Sequence, residues 1–197
     1  MNATQKLTRD DLMSLEQYSV SRDEFRGKVL DHKRNRRLEL GTNAALYFED
    51  RLTMHYQIQE MLRIEKIFEA DGIQEELDAY NPLIPDGSNF KATMMIEFAD
   101  VDERQQALTE LVGIEDKVWV QVGSHDKAYA ISDEDLERSD AGKTSAVHFS
   151  RFELSAEMIS ELQSGAILAM GCEHAKYIYT IDAIDEATRS SLVNDLS

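Results

Sequence analysis

Arginines and histidines set the chemistry open to this chain. Lys33, Arg34, Arg36 and Arg37 fall within five positions of the stretch DHKRNRR, and the span 22–37 holds seven basic residues against three acidic ones. Guanidinium groups grip carboxylates and phosphates through paired N–H donors, so this segment could clamp an anionic small molecule or dock an acidic partner. The alternative is a solvated face on which the same side chains pair with the chain's own 38 Asp and Glu residues. Arg51, His55 and Gln59 recur at every fourth position, on one helical stripe with Phe48, Leu52 and Leu62; Glu49, Thr53 and Glu60 form a second polar line. Polar groups on a helix that is apolar nearly all round need partners, which a ligand pocket, an interface or an internal register-fixing network could supply. His125 and His174 each follow a glycine in matching turns. With His148 they are the candidates for proton transfer or ligation, set against the plain preference of turns for polar residues.

Other chemistries lack their residues. Glu-x-x-His, HExxH, CxxC, GxGxxG and GxxxxGK[ST] are all missing, so no metal and no nucleotide or redox cofactor is expected by standard motifs. Cys172, Glu173 and His174 are neighbours on a turn and read as structural. Asp133-x-Asp135-x-Glu137 lacks the glycine and terminal glutamate of a calcium loop and reads as a solvated acidic segment. A net charge of −17 opposes phosphate backbones, which sets nucleic acid aside. No stretch approaches the ~20 apolar residues that span a bilayer. The N-terminus shows no apolar signal region, and a single cysteine suits a reducing compartment, so a cytoplasmic location is expected.

The elements that must position these residues follow from periodicity. Thr8 caps a short helix reaching Tyr18; a second runs from Ser21 towards Leu40, where Gly41 ends it. From Ala44 to about Ala70 neither Pro nor Gly interrupts an apolar pattern, which predicts a third, long helix, and Ile73–Tyr80 a fourth. The stretch Pro82–Ser88 holds both prolines and a glycine and marks a boundary between a helical region, 1–81, and an α+β region, 82–197. Beyond it the pattern alternates: strands over Phe90–Phe98, Lys117–Val122 and Lys127–Ile131 surround a helix over Asp102–Val112. The same order recurs with strands over Ser145–Leu154, Ala166–Gly171 and Lys176–Ile181 around a helix over Ala156–Gln163, before a last helix over Glu186–Leu196. VQVGSHDKAYAI aligns with LAMGCEHAKYIYTI, so either an internal duplication relates 90–131 to 145–181 or two glycine-containing hairpins are merely alike. The expected fold is α+β: an N-terminal helical region with two long helices, then two strand–helix–strand–strand units forming a mainly antiparallel sheet.

The blocks KRNRRLELG, YFEDRLTMHYQIQEMLRIEKIF, DGIQEELDAYNPLIPDGSNFKATMMIEF, LVGIEDKVWVQVG and KTSAVHFSRFEL resemble the bacterial family known as domain of unknown function 3501, across about residues 8–196. The last hairpin departs from it: GCEHAKY stands where members read like Gly-x-Asp-His-Pro-x-Tyr, which weakens any role for Cys172. Members are similar in being encoded beside rubrerythrin-like di-iron proteins and iron–sulfur oxidoreductases. The resemblance therefore implies a role in peroxide or thiol redox defence, as partner, assembly factor or enzyme; the expectation taken from it is an accessory protein, partner to an iron–sulfur oxidoreductase or rubrerythrin-like protein. It carries no residue roles. Two functions stay open: such a docking protein, working through Lys33–Arg37 with Arg51 and His55; or an anionic-ligand binding protein or enzyme, with Arg34, Arg36, Arg37 and Arg51 holding the anion and His55, His125 or His174 moving a proton.

Overall fold

Ser14 starts the first long helix of the structure, a computed structural model that describes residues 4–140 and 142–197. Its hydroxyl accepts from the Gln17 amide while the Gln17 side chain accepts from the Ser14 amide, closing a capping box. The helix, α1 (Leu15–Lys33), is largely polar and buries fully only Tyr18 and Val29. Thr8 does cap, but only a single 3-10 turn, Arg9–Asp11. The helix expected to reach Leu40 stops at Lys33, because the chain turns there into a hairpin of β1 (Arg37–Glu39) and β2 (Ala44–Glu49).

The long helix expected over Ala44–Ala70 is therefore two elements. Ala44–Phe48 lies between β1 and a third strand and is buried on both faces, so its apolar run carries no alternation to betray it. Asp50 then caps α2 (Arg51–Glu65), its carboxylate accepting from the Thr53 amide at 2.9 Å while the Asp50 amide donates to the Thr53 hydroxyl at 2.9 Å. Lys66, at φ 58°, ends α2, and α3 (Ala70–Tyr80) folds back on it. Leu7, Met54, Ile58, Leu62, Leu77 and Ile84 make a small apolar cluster that fastens this pair to the N-terminal segment.

After Pro82 the strands and helices follow the expected order: β3 (Asn89–Ile96), α4 (Val101–Glu110), β4 (Val118–Val122), β5 (Ala128–Tyr129), β6 (Ile131–Ser132), β7 (Val147–Glu153), α5 (Ala156–Gln163), β8 (Leu168–His174), β9 (Tyr177–Ile181) and α6 (Glu186–Val193). The named strands form two sheets, ordered β1-β2-β3-β7-β6 and β5-β4-β8-β9, with every pairing antiparallel. Each strand–helix–strand–strand segment gives one central strand to each sheet, and α4 and α5 carry the chain across. Strands from both sides of Pro82 share the first sheet. The α+β class expected from the sequence is what the structure has.

Alternation decides which side chains meet. Phe48, Phe90, Met94 and Phe152 from the first sheet and Val118, Val120, Val122, Leu168, Met170 and Cys172 from the second belong to one core. Each large side chain so buried stabilises the fold by roughly 1.5–3 kcal/mol. The strand expected over Lys127–Ile131 changes sheets in its middle. Ala128–Tyr129 pairs with β4, Ala130 donates its amide to the Val118 carbonyl at 2.8 Å, and Ile131–Ser132 pairs with β7. The first sheet's other face carries Glu49, Lys91, Thr93, Phe149 and Arg151, and α2 and α3 lie over part of it.

Candidate functional site

The basic segment does not form one face. Arg36 and Arg37 flank the start of β1, so the strand's alternation sends one inward and the other out. Arg36 is 2% exposed. It donates to the Phe48 and Glu49 carbonyls at 3.0 and 3.1 Å, to Ser191 on α6, and to Asp195 at 2.5 Å, with Asp50 at 3.6 Å. Its role is to staple α6 to the first hairpin. Arg37 donates to the Tyr47 hydroxyl and pairs with Glu39 and Glu97 on the surface. Arg34 pairs with Asp31, and Lys33 sits in the last turn of α1. Arg51 points the other way, onto Asp11 at 2.5 Å and the Gln5 carbonyl. The four arginines expected to hold an anion are thus apart, each against a carboxylate of this chain.

Most of the other sequence-derived candidates also have local partners. Glu49 accepts from Thr53 at 2.7 Å and Thr93 at 2.8 Å, tying α2 to the sheet. Gln59 accepts from the Met13 amide at 2.6 Å and donates to its carbonyl. His55, on the same stripe, lies 5.1 Å from the Phe25 ring, its buried Nε2 without a hydrogen-bond partner among the described residues; burial pushes its pKa down. The Arg51–Gln59 stripe holds the N-terminal segment and α1. His125 lies 3.2 Å from Glu161, and His174 faces the Val112 carbonyl at 3.2 Å. Register places their turns at opposite ends of the β4–β8 pair, since Val122 meets Leu168 and Val118 meets Cys172. No shared proton-transfer centre results.

His148 is fully buried in a closed network. Its Nδ1 lies 2.6 Å from Asp133 Oδ2, and its Nε2 lies 2.8 Å from the Thr144 hydroxyl and 3.0 Å from the Ser145 carbonyl. Glu115, Asp133 and His148 bring potential ligand atoms within 4.8 Å of one another. Their lone pairs are already engaged, however. Asp133 also accepts from the Phe149 amide and Arg138, and Glu115 accepts from Ser139 and Thr144. Asp133 therefore does not belong to a solvated acidic segment as expected: it is turned in to anchor the loop, while Glu134 and Asp135 stay outside. Cys172 is buried in the core, which pushes its thiol up.

What the structure does open is a cleft of about 560 Å³ between the end of α3, the turn at Pro82–Leu83, the β3–β7 face and the Glu134–Asp135 loop. Tyr80, Leu83 and Phe149 supply its apolar wall. Arg138 covers Phe149, its guanidinium 4.6 Å from the ring centre. Across the β3–β7 ladder Lys91 stands directly opposite Arg151. Like charges so placed are destabilising unless something negative joins them. Arg151 has its own carboxylates, Glu134 at 2.8 Å and Glu153 at 2.5 Å. The Lys91 amine has no hydrogen bond or ion pair among the described residues. Burial first and Arg151 second push its pKa below the ordinary lysine value, against the partial opposition of Glu134, Asp86 and Glu153. Sequence reasoning passes over Lys91 because FKATMMIEF puts it at an ordinary solvent-facing strand position. Only the return of α3 makes that position a cleft.

Residues 6–196 match the family DUF3501, described as proteins of unknown function. Among solved structures, a chain from Burkholderia pseudomallei, described as a novel protein of unknown function, is 51% identical. The match covers 98% of this chain and 100% of that chain, with a TM-score of 0.93. Curated proteins offer no match. No helix among the described residues is long and apolar enough to cross a membrane.

Proposed function

The chain belongs to the DUF3501 family, and from that premise we propose that it is a small-molecule binding protein whose ligand, an anion with a flat apolar body, sits in the Lys91–Phe149 cleft. The observation that carries this reading is Lys91: a partly buried amine opposite Arg151, with no ion pair among the described residues. A ligand carboxylate would supply the missing negative charge. Its apolar body would lie against Tyr80, Leu83 and Phe149. The anionic-ligand expectation is thus kept and moved from the Arg and His positions to β3 and β7. Docking beside an iron–sulfur oxidoreductase or rubrerythrin-like protein is the alternative proposal, and its support is the family resemblance, since the arginines named for it are individually engaged.

A charge-assisted hydrogen bond contributes ~1.5–3 kcal/mol. Calorimetric titration with aromatic monocarboxylates and dicarboxylates should therefore show binding that weakens about ten- to hundred-fold in Lys91→Gln, and stays unchanged in Arg34→Gln and Arg37→Gln. Equal affinity in wild type and Lys91→Gln would overturn the reading.

A further inference from the structure

The cleft amine has the setting of a nucleophile as well as of a charge. A lysine reacts with carbonyl compounds only as the neutral amine, and three features of this site favour that form. Arg151 opposes it in register; the Glu49 carboxylate, its partner position on β2, is turned to Thr53 and Thr93; and the carboxylates of Glu134 and Glu153 are drawn onto Arg151. Of the other carboxylates near it, Asp86 accepts from Ser88, and on the cleft wall Asp78 accepts from Gln74 and Asp135 pairs with Arg138. The apolar wall of Tyr80, Leu83 and Phe149 limits the water that would compete for a bound electrophile.

We propose that Lys91 bonds reversibly to a carbonyl group of the cleft's ligand as an imine, which makes the ligand class an aldehyde- or keto-bearing acid. This rests on the reading of the cleft as a ligand site and deepens it: the protonated amine holds a carboxylate by charge, and the neutral fraction of the same amine bonds a carbonyl. The amine lone pair attacks the carbonyl carbon, forming the C–N bond while the C=O π pair moves to oxygen. A proton passes from nitrogen to that oxygen, giving a carbinolamine. The C–O bond then breaks, the nitrogen gives up its second proton, and one water leaves. Hydrolysis runs the same steps backwards, so the exchange needs neither oxidant nor reductant.

The probe is 4-formylbenzoate with sodium cyanoborohydride at neutral pH, followed by peptide mapping; terephthalate, which has no aldehyde, is the non-covalent control. The other eight lysines of the chain serve as internal references. Lys91 should be the preferentially labelled lysine, since burial and the facing Arg151 lower its pKa and leave more of it as the neutral amine. Terephthalate should slow that labelling, and Lys91→Arg should abolish it with the melting temperature unchanged. Labelling of Lys91 no faster than the other lysines, with terephthalate still bound and its affinity still lowered by Lys91→Gln, would overturn the imine and leave the binding reading standing. If terephthalate does not bind and Lys91 is not preferred, both fall.

Discussion

Replacing Asp195 by Asn tests whether burial or ion pairing governs the carboxylate that seals α6 to the first sheet. Asp195 is 2% exposed, and its carboxylate accepts from Arg36 at 2.5 Å. Burial pushes its pKa from 3.8 up to about 6; Arg36 pulls the other way and is outweighed, with Asp50 adding to the rise and His32 opposing it. A carboxyl raised in the folded state holds its proton longer there than in the unfolded chain. Between about pH 4 and about pH 6 the native state thus binds more protons, and stability falls as pH rises. About two pKa units at about 1.4 kcal/mol each amount to about 3 kcal/mol. Carboxylates held low, Glu60 and Glu186 at about 2 among them, tilt the total curve the opposite way, so the informative quantity is the difference between wild type and Asp195→Asn. Urea unfolding of both proteins should show that difference moving against wild type by about 3 kcal/mol from about pH 4 to about pH 7, then levelling. A difference that is flat, or that moves in favour of wild type with rising pH, would refute the claim that burial outweighs Arg36.

Glu60 should show the reverse sign. Arg22 at 2.7 Å, with Tyr18 and Arg63, holds it near 2, so the advantage of wild type over Glu60→Gln should be full above about pH 4.5 and vanish as pH falls towards 2; it is roughly 2–3 kcal/mol with allowance for the partly solvated Arg22, readable by the same titration. Arg36→Met strips a buried carboxylate of its cation and should cost about 3–5 kcal/mol, whereas Arg37→Met, on the surface, should cost under about 1 kcal/mol; equal effects in chemical denaturation would contradict the staple assigned to Arg36. Gly171→Ala would place a methyl 2.5 Å from Trp119 Cζ2 and against the Tyr179 carbonyl oxygen. It should destabilise by ~1–3 kcal/mol and shift the fluorescence of the chain's one tryptophan; an unchanged spectrum and midpoint would show that the ring has room to move.

The strand–helix–strand–strand order was legible because β3 and β7 keep one face on the core, and that alternation differs from the helical period of α4 and α5. Strand β2 was not, because a strand buried on both faces writes an unbroken apolar run that merges with the helix after it. The signal that separates them, Asp50 followed three residues later by Thr53, was present in the sequence. Among the site residues, types were readable and directions were not. Arg36 and Arg37 are adjacent letters with opposite fates, decided by where β1 begins. His125 lies in the β4–β5 turn and His174 ends β8 beside the β8–β9 turn, yet antiparallel pairing of β4 with β8 sends those turns to opposite ends of the sheet. Which of 38 acidic residues neutralises a given arginine depends on contacts such as Arg36–Asp195, 159 positions apart, that no local pattern encodes.

The sheet change at Ala130 fixes the phase of two ladders with a single residue. Tyr129 is registered against Trp119 on one side, and Ile131 against Arg151 on the other. Adding or deleting one position there would turn a whole flank of side chains over in at least one sheet. Neither sheet can slide along its strands without dragging the other, so the segment works as a gear tooth shared by two racks.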